Sequence, residues 1–455
     1  MNCEICCRFS DKFSTWAPFI LKEEIENYKT HKLLPSFVES YGTFMKLIQY
    51  NNIFICPFFN FLQKKCSLYT LRPFDCRLYP FVIFYNKNYT EVNLGIDLQC
   101  LYAKNNDINI LFSFAKELKR ILEDEDLAET IYQNPGFIMD YNANFTPFFV
   151  LNKISRKIFG ETKGLKLLSL SDKKIFDNFF RENEKNFSYN FEYLYSWKDI
   201  AYLLWTIVDD NLLVFWKHKE DCFLILPPLG KTLSARTIEF LRQFVGRKVS
   251  IDNIVDKSLI LSSNNHFKLK SIYSEYIYER AKIVGLKGNV LKSQRWAYNY
   301  FKKKYLSKVR KLTSKDIEQC LNLYELWAEE RLKKHKSRYY HLLIEDNFFA
   351  QRRLLLDYDL LELDGIALEI EGKIKGYSFG YPLDKDNFCI FAEVADLKFK
   401  GIAQYMFCEF CRKLENYRFI NTMDDSALEN VRKTKLSYRP VKLKKFYSGQ
   451  LLLNR

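Results

Sequence analysis

What this chain lacks narrows it first. None of its apolar runs approaches the roughly 18–20 residues that cross a bilayer, so no membrane span is expected. The aromatic stretch Ile53–Leu62 is short and contains Cys56, so it reads as core. Histidine is scarce. His31, His218, His266, His335 and His341 are the whole set, none stands in a motif, and all five read as surface or packing residues. Only two residues precede Cys3, which leaves no room for a secretory leader ahead of it. Reduced thiols and a cytoplasmic location follow as expectations. Acid is scarce in only one part of the chain. Residues 1–150 hold 17 Asp and Glu against 15 Lys and Arg, whereas residues 151–455 hold 38 against 55. The whole +15 excess therefore lies beyond the first third. Such a balance attracts polyanions, whether tRNA, an anionic lipid surface or a phosphorylated cofactor. The abundance of Asn, Ile, Phe and Tyr leaves a genome-wide composition bias open as an alternative.

Cysteine is what the chain has in a pattern. Seven of twelve fall in the first hundred residues. Cys3, Cys6 and Cys7 form a C-x-x-C-C cluster, Cys56, Cys66 and Cys76 follow at ten-residue steps, and Cys100 closes the set. A C-x-x-C turn brings sulfurs to one side, and thiols returning from distant sequence complete a soft-metal shell. A disulfide framework would need an oxidising compartment and would leave one of seven thiols over. Buried structural thiols would not explain the grouping. Four thiolates suit zinc or an iron–sulfur cluster equally, and the spacing matches neither common ferredoxin run.

The order C-x-x-C-C, Cys56, Cys66-x-x-Tyr69, Arg72-Pro73-x-x-Cys76-Arg77-x-Tyr79-Pro80-Phe81 and Cys100 resembles the YkgJ-type cysteine-cluster family. Pro18 with Glu23-Glu24-Ile25 resembles its early helix. The resemblance covers about residues 1–125 and implies a zinc- or iron-chelating domain with Cys3, Cys6, Cys7, Cys56, Cys66, Cys76 and Cys100 as ligands. It departs after Cys100, where Leu101-Tyr102 replaces the usual Pro-Gly.

The length suggests two or three domains. Turn signals at Asn134-Pro135-Gly136, Asn142-Ala143-Asn144 and Thr146-Pro147 place a linker at 131–160. Residues 1–130 read as mainly helical around the cysteine loops. Residues 161–285 and 286–455 read as two copies of one α+β unit, each with a helix, an antiparallel meander, a turn, a helix and a strand. In the second copy Gly365–Ile370, Lys373–Tyr381 and Cys389–Val394 alternate as strands do.

Lys398-x-x-Gly401-x-Ala403 resembles the phosphate-cradling loop of GNAT acetyltransferases. There a helix N-terminus faces a pyrophosphate. More of the chain resembles the phosphatidylglycerol lysyltransferase C-terminal domain family: Arg295 in a linker helix, Glu371-Gly372-Lys373, Glu393-x-Ala395-Asp396, Asn421-x-x-x-Asp425, Arg432, Lys435 and Ser437-Tyr438-x-Pro440. Tyr193-x-Tyr195-x-Trp197 and Pro227-Pro228-Leu229-Gly230 extend it into the first copy. The resemblance covers about residues 165–450 and implies tandem GNAT-like domains that move an aminoacyl group from charged tRNA to a lipid head group. Trp296 and Thr422 stand where the family pattern has Asn and Arg.

Aminoacyl or acyl transfer needs a general base and a partner for the oxyanion. Glu393, Asp425 and Lys435 are the candidate catalytic groups. Arg295, Lys398, Gly401, Ala403, Asn421, Arg432 and Tyr438 are the candidate binding groups. The expected partners are aminoacyl-tRNA or acyl-CoA as donor, with peripheral contact to anionic lipid. Two basic clusters, one from Lys292 to Lys311 on an expected helix over Val290–Tyr305 and its exit and one from Arg432 to Lys445, interleave with Tyr298, Tyr300, Tyr305 and Tyr438, which also fits single-stranded nucleic acid. Two rival readings therefore stand: a non-catalytic RNA-binding protein with a structural metal, and a redox or metal sensor.

Overall fold

The computed structural model describes residues 5–29, 32–162, 164–181, 183, 186–230, 233–246, 248–255 and 267–452. Cys3, His31 and His266 lie outside them.

The cysteine-rich segment is built from short extended pairs. Arg8–Phe9, Ile48–Tyr50 and Ile53–Ile55 form a three-stranded ribbon. Phe19–Ile20 pairs with Thr43–Phe44, and Phe59–Asn60 with Lys65–Cys66. The helices Ile25–Lys29 and Phe74–Leu78 are only five residues each. The expectation of a mainly helical first domain is corrected accordingly. Turns interrupt this segment every few positions, and no run reaches the dozen or so residues a helix needs to hold by itself. Two-residue ladders close the loops instead.

Longer elements begin with β1 (Phe81–Tyr85) and β2 (Val92–Asp97), which are buried along their whole length. Helix α1 (Ile108–Leu122) starts where the Asp107 carboxylate accepts the Asn109 N–H at 2.8 Å. The stretch 131–160 carries β3 (Phe145–Val150), antiparallel to β2, and α2 (Asn152–Phe159), whose Ile154 and Ile158 are buried one turn apart.

Twelve strands make one sheet from the rest of the chain. Its first part is β4 (Lys166–Leu167), β5 (Tyr202–Val208), β6 (Asn211–His218) and β7 (Asp221–Leu224), then α3 (Ala235–Phe244) and β8 (Lys248–Ile254). The chain continues through β9 (Phe267–Glu279), α4 (Lys292–Lys304), β10 (Ser307–Lys311), α5 (Ile317–Lys334) and α6 (Arg338–Leu356). Next come β11 (Asp364–Ile370), β12 (Lys373–Pro382), β13 (Asn387–Ala395), α7 (Ile402–Lys413), β14 (Phe419–Asn421), α8 (Glu429–Ser437) and β15 (Lys442–Leu452). Across the sheet the order is β4-β5-β6-β7-β8-β15-β9-β14-β13-β12-β11-β10.

Both halves follow one plan. A meander runs antiparallel, a helix crosses over, and the next strand joins in parallel: Leu224 opposite Ile251 in the first half, Asn387, Phe388 and Cys389 opposite Phe419, Ile420 and Asn421 in the second. The last strand, β15, then fits between β8 and β9 and joins the halves. Strand periodicity feeds two cores. Ile366, Leu368 and Ile370 of β11 pack on the α4–α7 side, while Ala367 faces the core of α5 and α6.

The cysteine-rich segment rests on α5 and α6. Buried Glu345 accepts the backbone N–H groups of Glu39, Ser40 and Tyr41 at 2.9, 2.7 and 3.2 Å. Lys12 pairs with Glu318 at 2.5 Å, and Lys46 pairs with Glu325. Glu345→Ala leaves three inward-facing donors without an acceptor, each worth about 1–3 kcal/mol. We expect a loss of about 3 kcal/mol or more in denaturant unfolding. An unchanged midpoint would mean that this carboxylate does not hold the segment in place.

Candidate functional site

Two places gather the chemistry. The first is a cavity of about 960 Å³ lined by Cys6, Cys7, Cys56, Cys66, Cys76 and Cys100. Local pairing delivers each thiol. Cys6 and Cys7 close a turn whose carbonyl at Cys7 accepts the Cys56 N–H at 3.0 Å. Cys66 sits opposite Phe59 in its ladder. Cys76 rides on the helix Phe74–Leu78, which two acids fix. Glu24 accepts the Phe74 N–H at 2.8 Å, and Asp75 accepts the Phe19 N–H at 2.9 Å. Burial raises Asp75 to about 6. The far wall carries Lys198 paired with Asp140 at 2.5 Å, and Asp199 paired with Arg353.

Cys6, Cys7, Cys56, Cys66 and Cys76 form one electrostatically linked group, and all the described cysteines are reduced. Burial raises Cys56 to about 11, and Cys66 and Cys6 add to the shift. Cys76 is raised by burial, then by Asp75 and the neighbouring thiols. The Cys7 thiol donates to Cys6, which lowers Cys6 and raises Cys7. Sulfur donors held together against their own repulsion fit a soft cation, which would supply the missing positive charge. Among the described residues, however, no three Cys, His, Asp or Glu side chains stand as a ready ligand set. Cys3 lies outside the described residues, and the Cys100 thiol meets the Tyr79 hydroxyl at the start of the helix Leu101–Asn105.

The second place is the gap between β13 and β14. The two strands pair only as far as Cys389 and Asn421 and then part. Glu393 projects beyond that point. Its side chain is open to solvent, with Lys435 and Tyr438 in electrostatic reach. Burial raises its carboxyl to about 8, with Lys435 acting against the shift. Lys435 of α8 reaches in and donates to the carbonyls of Thr422 and Asp424. Burial lowers its ammonium to about 8, opposed by Asp424, Asp425, Cys389 and Glu393. An acid drawn up and a base drawn down to the same value can exchange protons near neutrality.

Glu393 and Lys435 are thus in electrostatic reach of each other, and other candidate residues are used differently. Asp425 accepts from the Tyr276 hydroxyl at 2.6 Å and from the Ala427 N–H at 3.1 Å. Asn421 donates to Glu275 at 2.6 Å and accepts the Met423 N–H. Arg295 donates to the carbonyls of Leu286 and Gly288, bracing the turn before α4. Tyr438 is buried edge-on against Tyr278 and Phe407, with Glu393 in electrostatic reach. Gly401 has φ +89° at the head of α7, and a Cβ there would lie 2.3 Å from the Ala297 carbonyl of α4. Helix α4 therefore fills the space beside this glycine. Lys398 and Arg432 are exposed, and Ala403 is half-buried. Sequence reasoning passed over Asp424, which burial raises and whose carbonyl holds Lys435. The Asp424-Asp425 doublet was its only signal.

Residues 1–100 match a family described as a candidate zinc- or iron-chelating domain. Residues 180–448 match the family described as phosphatidylglycerol lysyltransferase, C-terminal. No curated protein matches. Among solved structures, a conserved protein of unknown function from Bacteroides thetaiotaomicron is 24% identical with a TM-score of 0.56, covering 63% of this chain and 99% of that one. The L-PGS of Bacillus licheniformis is 16% identical with a TM-score of 0.44, covering 62% and 93%. A GNAT-family acetyltransferase from Colwellia psychrerythraea is 9% identical with a TM-score of 0.36, covering 63% and 99%. With its matched span exceeding half its length, the chain belongs to the phosphatidylglycerol lysyltransferase C-terminal family.

Proposed function

We propose that the chain transfers an aminoacyl or acyl group at the gap between β13 and β14. Aminoacyl-tRNA is the donor we favour and acyl-CoA the alternative. Residues 161–285 and 286–455 form the transferase part. Residues 1–130 hold zinc or an iron–sulfur centre on Cys6, Cys7, Cys56, Cys66 and Cys76. The observation that supports the transfer reading is that Glu393 and Lys435 stand in electrostatic reach of each other at the end of the β13–β14 pairing, each drawn to about 8. Glu393 as carboxylate takes the proton of the attacking hydroxyl or amine. The new C–O or C–N bond forms at the ester carbon, and Lys435 as ammonium faces the oxyanion. The bond to the ribose oxygen then breaks, and Glu393 returns the proton to that oxygen. The metal, when bound, supplies positive charge that draws the early loops together, and no step of the transfer passes through it.

The test is single-turnover loss of the aminoacyl ester from labelled charged tRNA, or of the thioester from acyl-CoA, with parent and Lys435→Met proteins. Methionine keeps the stem and removes the charge, so we expect loss of about 100-fold or more in rate, comparable to losing one oxyanion donor. No consumption of either donor, together with no thermal shift by either, would overturn the transferase reading in favour of a binding protein.

A further inference from the structure

From Arg280 to Lys315 the chain has twelve Lys and Arg and not one Asp or Glu. Helix α4 lies at the centre of this acid-free segment. Its inner face is Gln294, Ala297 and Phe301. Gln294 and Phe301 are buried, and Ala297 touches Gly401. Its outer face is a stripe of Lys292, Trp296 and Lys303, four and then seven residues apart, as one side of a helix requires.

Trp296 is 53% exposed. Its ring stacks on Tyr300 at 5.2 Å, and the ammonium of Lys400, from the head of α7, stands 4.8 Å over it. Apolar side chains flank this cationic surface in the open. Val290 is exposed just before α4, Leu306 just after it, and Leu397 in the loop that brings Lys400. Nucleic acid would use the lysines and the ring faces but would have no partner for Val290, Leu306 and Leu397. An anionic bilayer uses both kinds of group. Its head groups pair with lysine, tryptophan settles at the interface, and aliphatic side chains enter the acyl boundary.

We propose that the outer face of α4, with Leu397 and Lys400, docks the protein peripherally on anionic lipid bilayers. No described helix is long and apolar enough to cross a membrane, so a surface contact of this kind would bring lipid and protein together. The same helix reaches the reaction gap from its other side. Gln294 donates to the Ser437 hydroxyl at 2.8 Å, two residues beyond Lys435. Bilayer and gap would then lie about one helix diameter, roughly 10 Å, apart. The inference extends the transferase reading, but its test requires no turnover.

The full-length protein is sedimented with vesicles of phosphatidylcholine alone and with vesicles that also contain phosphatidylglycerol. It is expected to bind only the second kind, and less as salt is raised. Reversing two lysines in Lys292→Glu/Lys303→Glu should weaken binding at least about twentyfold, since each lysine near such a surface contributes about fivefold. Trp296→Ala should weaken it about tenfold, the scale of one buried large apolar side chain. Both variants alter exposed side chains, and unchanged melting verifies their folding. Equal binding to both vesicles, parental binding by both variants, or no vesicle binding beside RNA binding that the same variants abolish, would each overturn the proposal.

Discussion

Glu393→Gln is expected to slow transfer by about 10²–10⁴-fold, the usual contribution of a placed general base. The amide keeps shape and polarity and loses only the proton chemistry. The pH profile makes the test specific. Glu393 must be ionised to accept a proton, so the parent rate should climb as pH rises through about 8. Lys435 must be charged, so the rate should fall as pH passes its own value near 8. The pair titrates together, and a narrow bell near that pH is the expected shape. In Glu393→Gln the rising limb should vanish while the falling limb stays. A variant that keeps both limbs would remove Glu393 from the reaction. Stability offers an independent reading. The carboxyl is raised from its ordinary 4.5 to about 8 on folding, so its contribution is complete below 4.5 and is lost as pH climbs to 8. The Gln variant should therefore melt above the parent at about pH 9 and level with it at about pH 4.

Cys76→Ser is expected to have the largest effect in the first hundred residues. Cys76 lies within electrostatic reach of Cys6, Cys56 and Cys66, and its helix is fixed by Glu24 and Asp75. Losing one donor of such a set should weaken metal binding beyond the 10–100-fold that follows loss of a mere orienting partner. Anaerobically purified protein should then carry almost no zinc or iron by elemental analysis, and its melting point should fall. Cys100→Ser should keep its metal, because the Cys100 thiol faces Tyr79. Parental metal content in Cys76→Ser, or loss of metal in Cys100→Ser, would redraw the ligand set.

These two sites were legible in the sequence to different degrees. The strands at Gly365–Ile370, Lys373–Tyr381 and Cys389–Val394 appear within a residue or two as β11, β12 and β13, because alternation registers burial directly. Glu393 was legible for the same reason, being at the end of a strand beside a Gly turn. The short ladders around the cysteines were not, since pairs of two residues carry no period. Nor could sequence alone show that Asp425 bonds Tyr276 or that Asn421 bonds Glu275. Those partners lie 149 and 146 positions away and meet only once the sheet is assembled. Helix α4 was recognised as basic, but that its backbone crosses Gly401 depends on a packing contact that no local pattern encodes.

Strand β15 has a consequence for how the molecule is made. Its residues supply the inner neighbours of both β8 and β9. While the ribosome is still adding residues before 452, β8 and β9 each lack the neighbour that β15 supplies. Completion of the continuous sheet therefore waits until synthesis has passed that strand, and a nascent chain stalled short of it would present two raw sheet edges to chaperones.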